Sequence, residues 1–374
     1  MQNFWQKLNK PILALAPMAG ITDSAFRQIC RKYGADVVYS EMASVDALFF
    51  APKKTLELLR FNKKERPYVV QLFGKNPEHF AAAAKTVTQK LKPDGIDINF
   101  GCPAKKVFGH GSGCALMPQK ELAREIISAV CENTKLPVSI KIRAGIGNHR
   151  SLAPFSELSS EKIKQITALN FIENIKDLPF QAVMVHGRTY EEKFAGPVDF
   201  ALVEKIKKII PDKIVLANGS ITEPEQVINI LKKYPQIEGF GIARGTLGRP
   251  WIFEEIKSIL KCHLERNAEK SKDLIKLDSS TTLGMTKVVR SRIKSGMTKV
   301  IRCRNKFGMT SFIKKIILEH AKLIYRDKGE LGVFEIRKHL AWYVKGFSNA
   351  SEIRQKLVQT KNLEEIKKIL KEIK

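Results

Sequence analysis

Paired cysteines are missing from this sequence. Cys30, Cys102, Cys114, Cys131, Cys262 and Cys303 are scattered, and no two of them form a C-x-x-C pair. That spacing argues against a zinc site and against a disulfide framework, so the expectation is no bound metal and a reducing, cytoplasmic compartment. Long apolar runs are missing too: none approaches the ~20 residues that a membrane span needs. Met1 to Lys10 lacks the apolar stretch and small-residue cleavage site of a secretory leader. No G-x-G-x-x-G turn follows the first apolar strand, which counts against a doubly wound dinucleotide fold. Acidic residues are few: 38 Asp and Glu face 65 Lys and Arg, a net charge of +27. An excess of that size points to a polyanionic partner, most often nucleic acid. The plainer alternative is a solvated, lysine-rich surface.

What is present is a recurring unit of short apolar strand, turn and helical pattern. Strands are predicted at Leu13–Ala16, Val37–Ser40, Tyr68–Leu72, Gly95–Asn99, Val138–Ile142, Ala182–Val185, Ile214–Ala217 and Gly239–Ile242. Helices follow several of them, the first starting near Ser24 with Thr22 or Asp23 as its cap. Eight such strands, spaced by about 25 to 45 residues, predict a closed parallel (β/α)8 TIM barrel.

The pattern breaks where chemistry would collect. Ile96-Asp97-Ile98-Asn99-Phe100-Gly101-Cys102-Pro103 reads as a buried strand running into a loop, with Cys102 just past the break. Lys105 and Lys106 follow, so an anionic molecule approaching the thiol meets positive charge first. Gln71, Asn99, Lys141, His186 and Asn218 each close an otherwise apolar strand, and Arg143, Arg188 and Arg244 stand at or just beyond such ends. In a barrel these positions converge on one mouth, which makes them a site rather than scattered core polarity. The turns Asn218-Gly219-Ser220 and Ala243-Arg244-Gly245 follow strands seven and eight, where barrels hold phosphate with backbone N–H groups. Lys141 points inward and calls for an anionic partner or an electron-rich ring. A phosphorylated cofactor with a polar heterocycle would satisfy both ends.

Three stretches stand outside that pattern. Residues 153–178 read as an excursion before strand six. Gly284-Met285-Thr286-Lys287 recurs as Gly296-Met297-Thr298-Lys299 and restarts at Gly308-Met309-Thr310, a period of twelve residues. The surrounding segment 271–311 holds ten basic and two acidic residues and reads as a basic, exposed, flexible insertion. From Phe312 the pattern is helical throughout, and Arg337-Lys338-His339-Leu340-Ala341-Trp342-Tyr343 sets cations beside aromatics, as stacking on bases requires. An amphipathic helix would show the same composition.

Taken together, the motifs Ala16-Pro17-Met18-Ala19-Gly20, Ser40-Glu41-Met42, Val70-Gln71-Leu72-Phe73-Gly74, Asp97-Ile98-Asn99-Phe100-Gly101-Cys102-Pro103, Lys141-Ile142-Arg143, His186-Gly187-Arg188-Thr189, Ala217-Asn218-Gly219 and Gly248-Arg249-Pro250-Trp251 resemble the tRNA-dihydrouridine synthase family, the bacterial B-like type in particular. The resemblance covers about residues 11–265 and 312–365. It implies a catalytic barrel over 1–265, a linker carrying the repeat over 266–311, and a small all-helical tRNA-binding domain over 312–374. It also implies an FMN enzyme, reduced by NADPH or NADH, that reduces uridine in tRNA to 5,6-dihydrouridine, with hydride going to ring carbon C6. Cys102 would protonate C5. Pro17, Met18 and Ala19 would lie against the flavin, Gln71, Lys141 and His186 would serve its polar edge and ring, and Asn218, Gly219, Ser220, Ala243 and Arg244 would hold ribityl and phosphate. Asn99, Arg143, Lys105, Lys106, Arg337 and Lys338 would face the RNA. Nothing in the chain demands a partner subunit, so a monomer is expected. The chemistry agrees, because a free thiol with an ordinary pKa of about 8.5 carries a proton to give at neutral pH. The family pattern departs at Ala243, where glycine is usual, and at the 153–178 and 271–311 stretches. Two rivals stay open: a flavin barrel acting on a free pyrimidine, and a tRNA-binding protein without catalysis.

Overall fold

A computed structural model describes residues 3–147, 167–277 and 306–373. The described residues divide into two compact units, one within 1–222 and 229–246, the other within 223–228 and 247–374.

The first unit is a closed parallel barrel. Its strands are β1 (Ile12–Leu15), β2 (Val37–Ser44), β3 (Tyr68–Phe73), β4 (Gly95–Phe100), β5 (Val138–Gly145), β6 (Ala182–Thr189), β7 (Ile214–Asn218) and β8 (Gly239–Ile242). They pair in sequence order, and β8 closes onto β1. All eight predicted strands are present, and several run further toward the mouth than their apolar cores indicate. Ladder hydrogen bonds continue through polar residues when the far face is packed.

Alternate residues point inward. Ile12, Ala14, Val37, Tyr39, Val69, Ala182, Met184, Ile214 and Leu216 fill the lower interior. Trp5, fully buried on a short 3-10 turn at Phe4–Lys7, plugs the bottom against that layer. The interior residues that continue the same rows upward are Gln71, Asp97, Asn99, Ser139, Lys141 and Arg143, so β3, β4 and β5 bring polar side chains to the top. At position 241 of β8 no side chain fits: a Cβ on Gly241 would overlap Met184.

Helix starts are set by side-chain caps. Asp23 accepts from the Phe26 amide at 2.9 Å to start Ser24–Lys32, and Asp199 accepts from Leu202 at 2.9 Å to start Phe200–Ile209. Such a cap stabilises by about 1 kcal/mol. Of the 153–178 excursion, residues 167–178 are described and carry the helix Ala168–Ile175, while 153–166 lie outside the described residues.

The second unit is helical: Ile252–Leu277, Lys306–Lys328, Glu330–Tyr343, Ala350–Leu357 and Leu363–Glu372. The twelve-residue repeats at 284–304 lie outside the described residues. Ile316, Ile317, Ile336, Leu340, Leu357 and Ile366 form its buried interior. His320, His339 and Tyr343 are buried among them, with His320 Nδ1 3.1 Å from the Tyr343 hydroxyl. No described helix is long and apolar enough to cross a membrane.

Candidate active site

The C-terminal mouth of the barrel opens into a cavity of about 670 Å³. Pro17, Met18, Ala19, Gln71, Asn99, Cys102, Lys141, Arg143, His186, Asn218, Gly219, Ser220, Ala243 and Arg244 all line it. Met42, Ile21, Arg188 and Phe194 complete the wall. Lys105 and Lys106 sit on the exposed helix Lys105–Gly109 beyond Cys102, outside the lining. Arg337 and Lys338 belong to the second unit, where the Arg337 guanidinium bonds the Thr360 carbonyl (2.7 and 3.0 Å) and lies 4.4 Å from the Phe334 ring centroid.

Each segment of wall has its own support. The turn after β1 is closed by Thr22, whose amide donates to the Met18 carbonyl (3.0 Å) and whose Oγ accepts from the Met18 amide (3.2 Å). Behind it lies a fully buried ion pair, Arg27 Nε to Glu65 at 2.6 Å, and Arg27 also donates to the Thr22 carbonyl at 2.6 Å. The Cys102 turn is gripped from two sides. Asn99 Oδ1 accepts from the amides of Gly101 (3.0 Å) and Cys102 (2.9 Å), and Arg143 Nε donates to the Gly101 carbonyl at 3.0 Å.

Arg143 is 1% exposed, and its Nη1 donates to the carbonyls of Thr189 (2.8 Å) and Lys193 (2.9 Å). Its visible bonds therefore tie the Cys102 turn to the loop after β6. Arg188 holds that loop from the other end, through the Gly196 carbonyl (2.6 Å) and the Ser220 hydroxyl (2.7 Å). The loop carries Phe194, 55% exposed, whose ring centroid is 4.6 Å from the Arg244 guanidinium carbon. Phe194 escapes sequence reasoning: an aromatic in a loop of Lys, Gly and Glu has no periodicity to mark it, and only its place just after His186-Gly187-Arg188-Thr189 could have pointed to it.

The electrostatics are one-sided. Lys141, Arg143, Arg188 and Arg244 line the cavity, and Asp97 is fully buried behind its wall, bonded to Gln71. Burial, then the neighbouring Arg143 charge, pulls the Lys141 amine down to about 8. Burial and the Lys141, Arg143, Arg188 and Arg244 charges pull His186 down to about 2, so its ring is neutral. Among the described residues no hydrogen bond or ion pair engages the Lys141 amine. A half-buried cation that faces a cavity with no direct hydrogen bond, its nearest counter-charge being the buried Asp97 carboxylate, can receive an acceptor from a ligand. Gly219 has φ +126°, and a Cβ there would come within 2.9 Å of both His186 Cδ2 and Val198 Cγ2. Glycine at that turn lets the backbone pass close against His186 and Val198 in a conformation that other residues rarely adopt. These features fit a phosphorylated, ring-bearing cofactor. Among the described residues no group of three His, Cys, Asp or Glu is arranged to hold a metal ion.

The sequence profile described as dihydrouridine synthase matches residues 14–374. The chain belongs to the dihydrouridine synthase family. A probable tRNA-dihydrouridine synthase from Rickettsia conorii is 31% identical over 345 residues, covering 91% of this chain and 87% of that protein. The tRNA-dihydrouridine synthase B of Pseudomonas syringae pv. tomato is 32% identical over 344 residues, covering 91% and 85%. Among solved structures, a histamine dehydrogenase from Rhizobium sp. 4-9 aligns with a TM-score of 0.49 at 16% identity, over 66% of this chain and 45% of that one. The family membership matches the resemblance carried by the Cys102 and His186 motifs, and the closed barrel matches the eight predicted strands.

Proposed function

We propose that this dihydrouridine synthase reduces a uridine base in tRNA to 5,6-dihydrouridine, using FMN held in the barrel mouth and NADPH as reductant. The observation that carries the reading is the convergence of the Cys102 thiol and the Lys141 amine on one cavity with a cationic rim. Bound there, the flavin supplies a hydride for ring carbon C6 of the uracil.

The protein's own groups do the rest. Cys102 gives its thiol proton to C5, so one hydride and one proton saturate the C5–C6 bond and the thiolate recovers a proton from solvent. Pro17, Met18 and Ala19 offer an apolar wall for a flat ring. Gln71, Lys141 and neutral His186 serve the ring's polar edge. Asn218, Gly219, Ser220, Ala243 and Arg244 hold the ribityl chain and phosphate, through backbone N–H groups and a forked cation. Asn99 and Arg143 shape the wall that faces the base, because their polar atoms are engaged in holding the Cys102 turn. Lys105, Lys106, Arg337 and Lys338 meet the tRNA backbone. A uridine in folded tRNA must leave its stack to reach such a mouth, and a basic surface offsets part of that cost. In this reading the chain works as a monomer in the cytoplasm, where its tRNA substrate is found.

An anaerobic absorbance experiment on the purified chain tests this. A flavin spectrum that bleaches with NADPH and recovers with unmodified tRNA is expected, and the flavin released on denaturation should have the mass of FMN. A flavin that bleaches, ignores tRNA and is reoxidised by free uridine or dihydropyrimidine precursors would overturn the RNA reading. A chain that takes up no flavin would leave only RNA binding.

A further inference from the structure

Gln71, Asp97 and Ser139 are register partners on β3, β4 and β5, so their side chains meet at one level inside the barrel. Asn99 follows two residues after Asp97 and projects inward one level higher. All four are buried, Asp97 completely. Their bonds form a chain with one direction. Ser139 Oγ donates to Asp97 Oδ1 at 2.6 Å, and Gln71 Nε2 donates to Asp97 Oδ2 at 2.7 Å. Asn99 Nδ2 donates to Gln71 Oε1 at 3.0 Å. Asn99 Oδ1 is left to accept the Gly101 and Cys102 amides at 3.0 and 2.9 Å.

We propose that Asp97 is a positioning residue: its carboxylate sets the direction of this relay and, through Gln71 and Asn99, holds the turn that carries the Cys102 thiol into the cavity. Donors and acceptors fix the direction. An ionised carboxylate can only accept, so Gln71 must turn its NH₂ toward it. That leaves the Gln71 oxygen facing Asn99, which must answer with its own NH₂. The Asn99 oxygen then faces the two backbone N–H groups. Burial raises Asp97 only to about 6, which leaves it ionised at neutral pH. An amide at position 97 has no such fixed sense. Because the Ser139 hydroxyl can accept as well as donate, either end of that amide can face Gln71; in the orientation that presents its NH₂, Gln71 turns around, Asn99 follows, and a donor meets two donors at the Cys102 turn. Buried groups left unsatisfied in this way are costly, and the turn would open.

The test uses the full chain and reads the turn directly, by hydrogen exchange of the Gly101 and Cys102 amides and by the rate of Cys102 alkylation with iodoacetamide. Cys102→Ala identifies the alkylated site. Asp97→Asn should raise exchange at both amides by about tenfold or more and change the alkylation rate. Adding Gln71→Glu to Asp97→Asn restores an acceptor-only group one link along, so protection should return toward the starting value. Gln71→Met cuts the relay while leaving both neighbours in place, and should reproduce the loss even where Asp97→Asn does not fold. Unchanged protection in folded Asp97→Asn and Gln71→Met would overturn the proposal, as would failure of the folded double variant to recover. The catalytic part rests on the proposed reduction of uridine: there, Asp97→Asn should lower kcat with KM for tRNA held. Loss of protection in a chain that makes no dihydrouridine would leave the relay standing and the functional reading refuted.

Discussion

Cys102 and Gly219 carry opposite demands within the same mouth, one for a side chain and one for its absence. Cys102 lines the cavity beside Asn99 and Lys141, and its role as proton donor needs only the thiol. Cys102→Ala should therefore retain flavin and tRNA binding while dihydrouridine formation falls by about 10²-fold or more, the scale of a positioned acid. Single-turnover reoxidation of reduced enzyme by tRNA reads that step, and an unchanged rate would refute the acid role. Gly219 works through its backbone. At φ +126°, with His186 and Val198 2.9 Å from where a Cβ would stand, alanine has neither the conformation nor the room. Gly219→Ala should cost about 1–3 kcal/mol locally. Because the strain falls on the turn assigned to phosphate, flavin content after desalting should drop more than the melting temperature does.

At the scale of elements, the wall after β1 depends on a pair of charges that never touches the cavity. Arg27 and Glu65 are both fully buried, and Arg27 reaches on to the carbonyl of Thr22, the residue whose amide and hydroxyl close the Met18 turn. Glu65→Gln leaves a buried guanidinium without its counter-charge and should cost about 3–5 kcal/mol, read as a fall in thermal midpoint with weaker flavin retention. A midpoint within a degree of the parent would show the pair to be dispensable. The helices around Glu330–Tyr343 give a pH test. Burial, then the His320 and Lys338 charges, holds His339 well below the ordinary imidazole range. The unfolded chain then binds the proton first, so stability is full above about pH 6.5 and is lost as pH falls below it. Below that point the slope from this residue should be on the order of 1.4 kcal/mol per pH unit until the folded imidazole itself takes up the proton. His339→Gln should flatten that slope in urea unfolding followed by fluorescence. Elements of this kind were unequally legible. The eight strands announced themselves as short apolar rows at regular spacing; five of them end in one polar residue, and parallel pairing carries those ends to a single mouth. Trp5 gave no sign of plugging the barrel, since a single aromatic before the first strand has no period. Arg143 and Asp97 were readable as polar residues on buried strands. That one spends its guanidinium on three carbonyls, two of them at the end of β6 and in the loop after it, and the other accepts from Gln71 and Ser139 follows only from the register of the folded strands.

Over the whole molecule the net charge of +27 is either a device for holding RNA or a solvated surface, and salt separates the two. Contacts to phosphate release counterions, so a tRNA held through six to ten of them should lose about 10³–10⁵ in affinity between 50 and 200 mM salt. Anisotropy of labelled, unmodified tRNA measures this directly. Lys105 and Lys106 stand on the exposed helix beyond the Cys102 turn, and replacing both with Gln should lower the slope of log affinity against log salt by roughly 1.4–1.8. Cys102→Ala should leave the slope untouched, because the thiol makes no phosphate contact in this reading. An affinity that ignores salt would assign the excess charge to solubility. Removing the repeat-bearing residues 278–305, seven of them basic and one acidic, then asks whether that charge is used. A chain that stays folded and flavin-loaded with an unchanged slope would place RNA binding on the barrel rim and the helices alone. A slope reduced by several would make the repeats part of the RNA-binding surface.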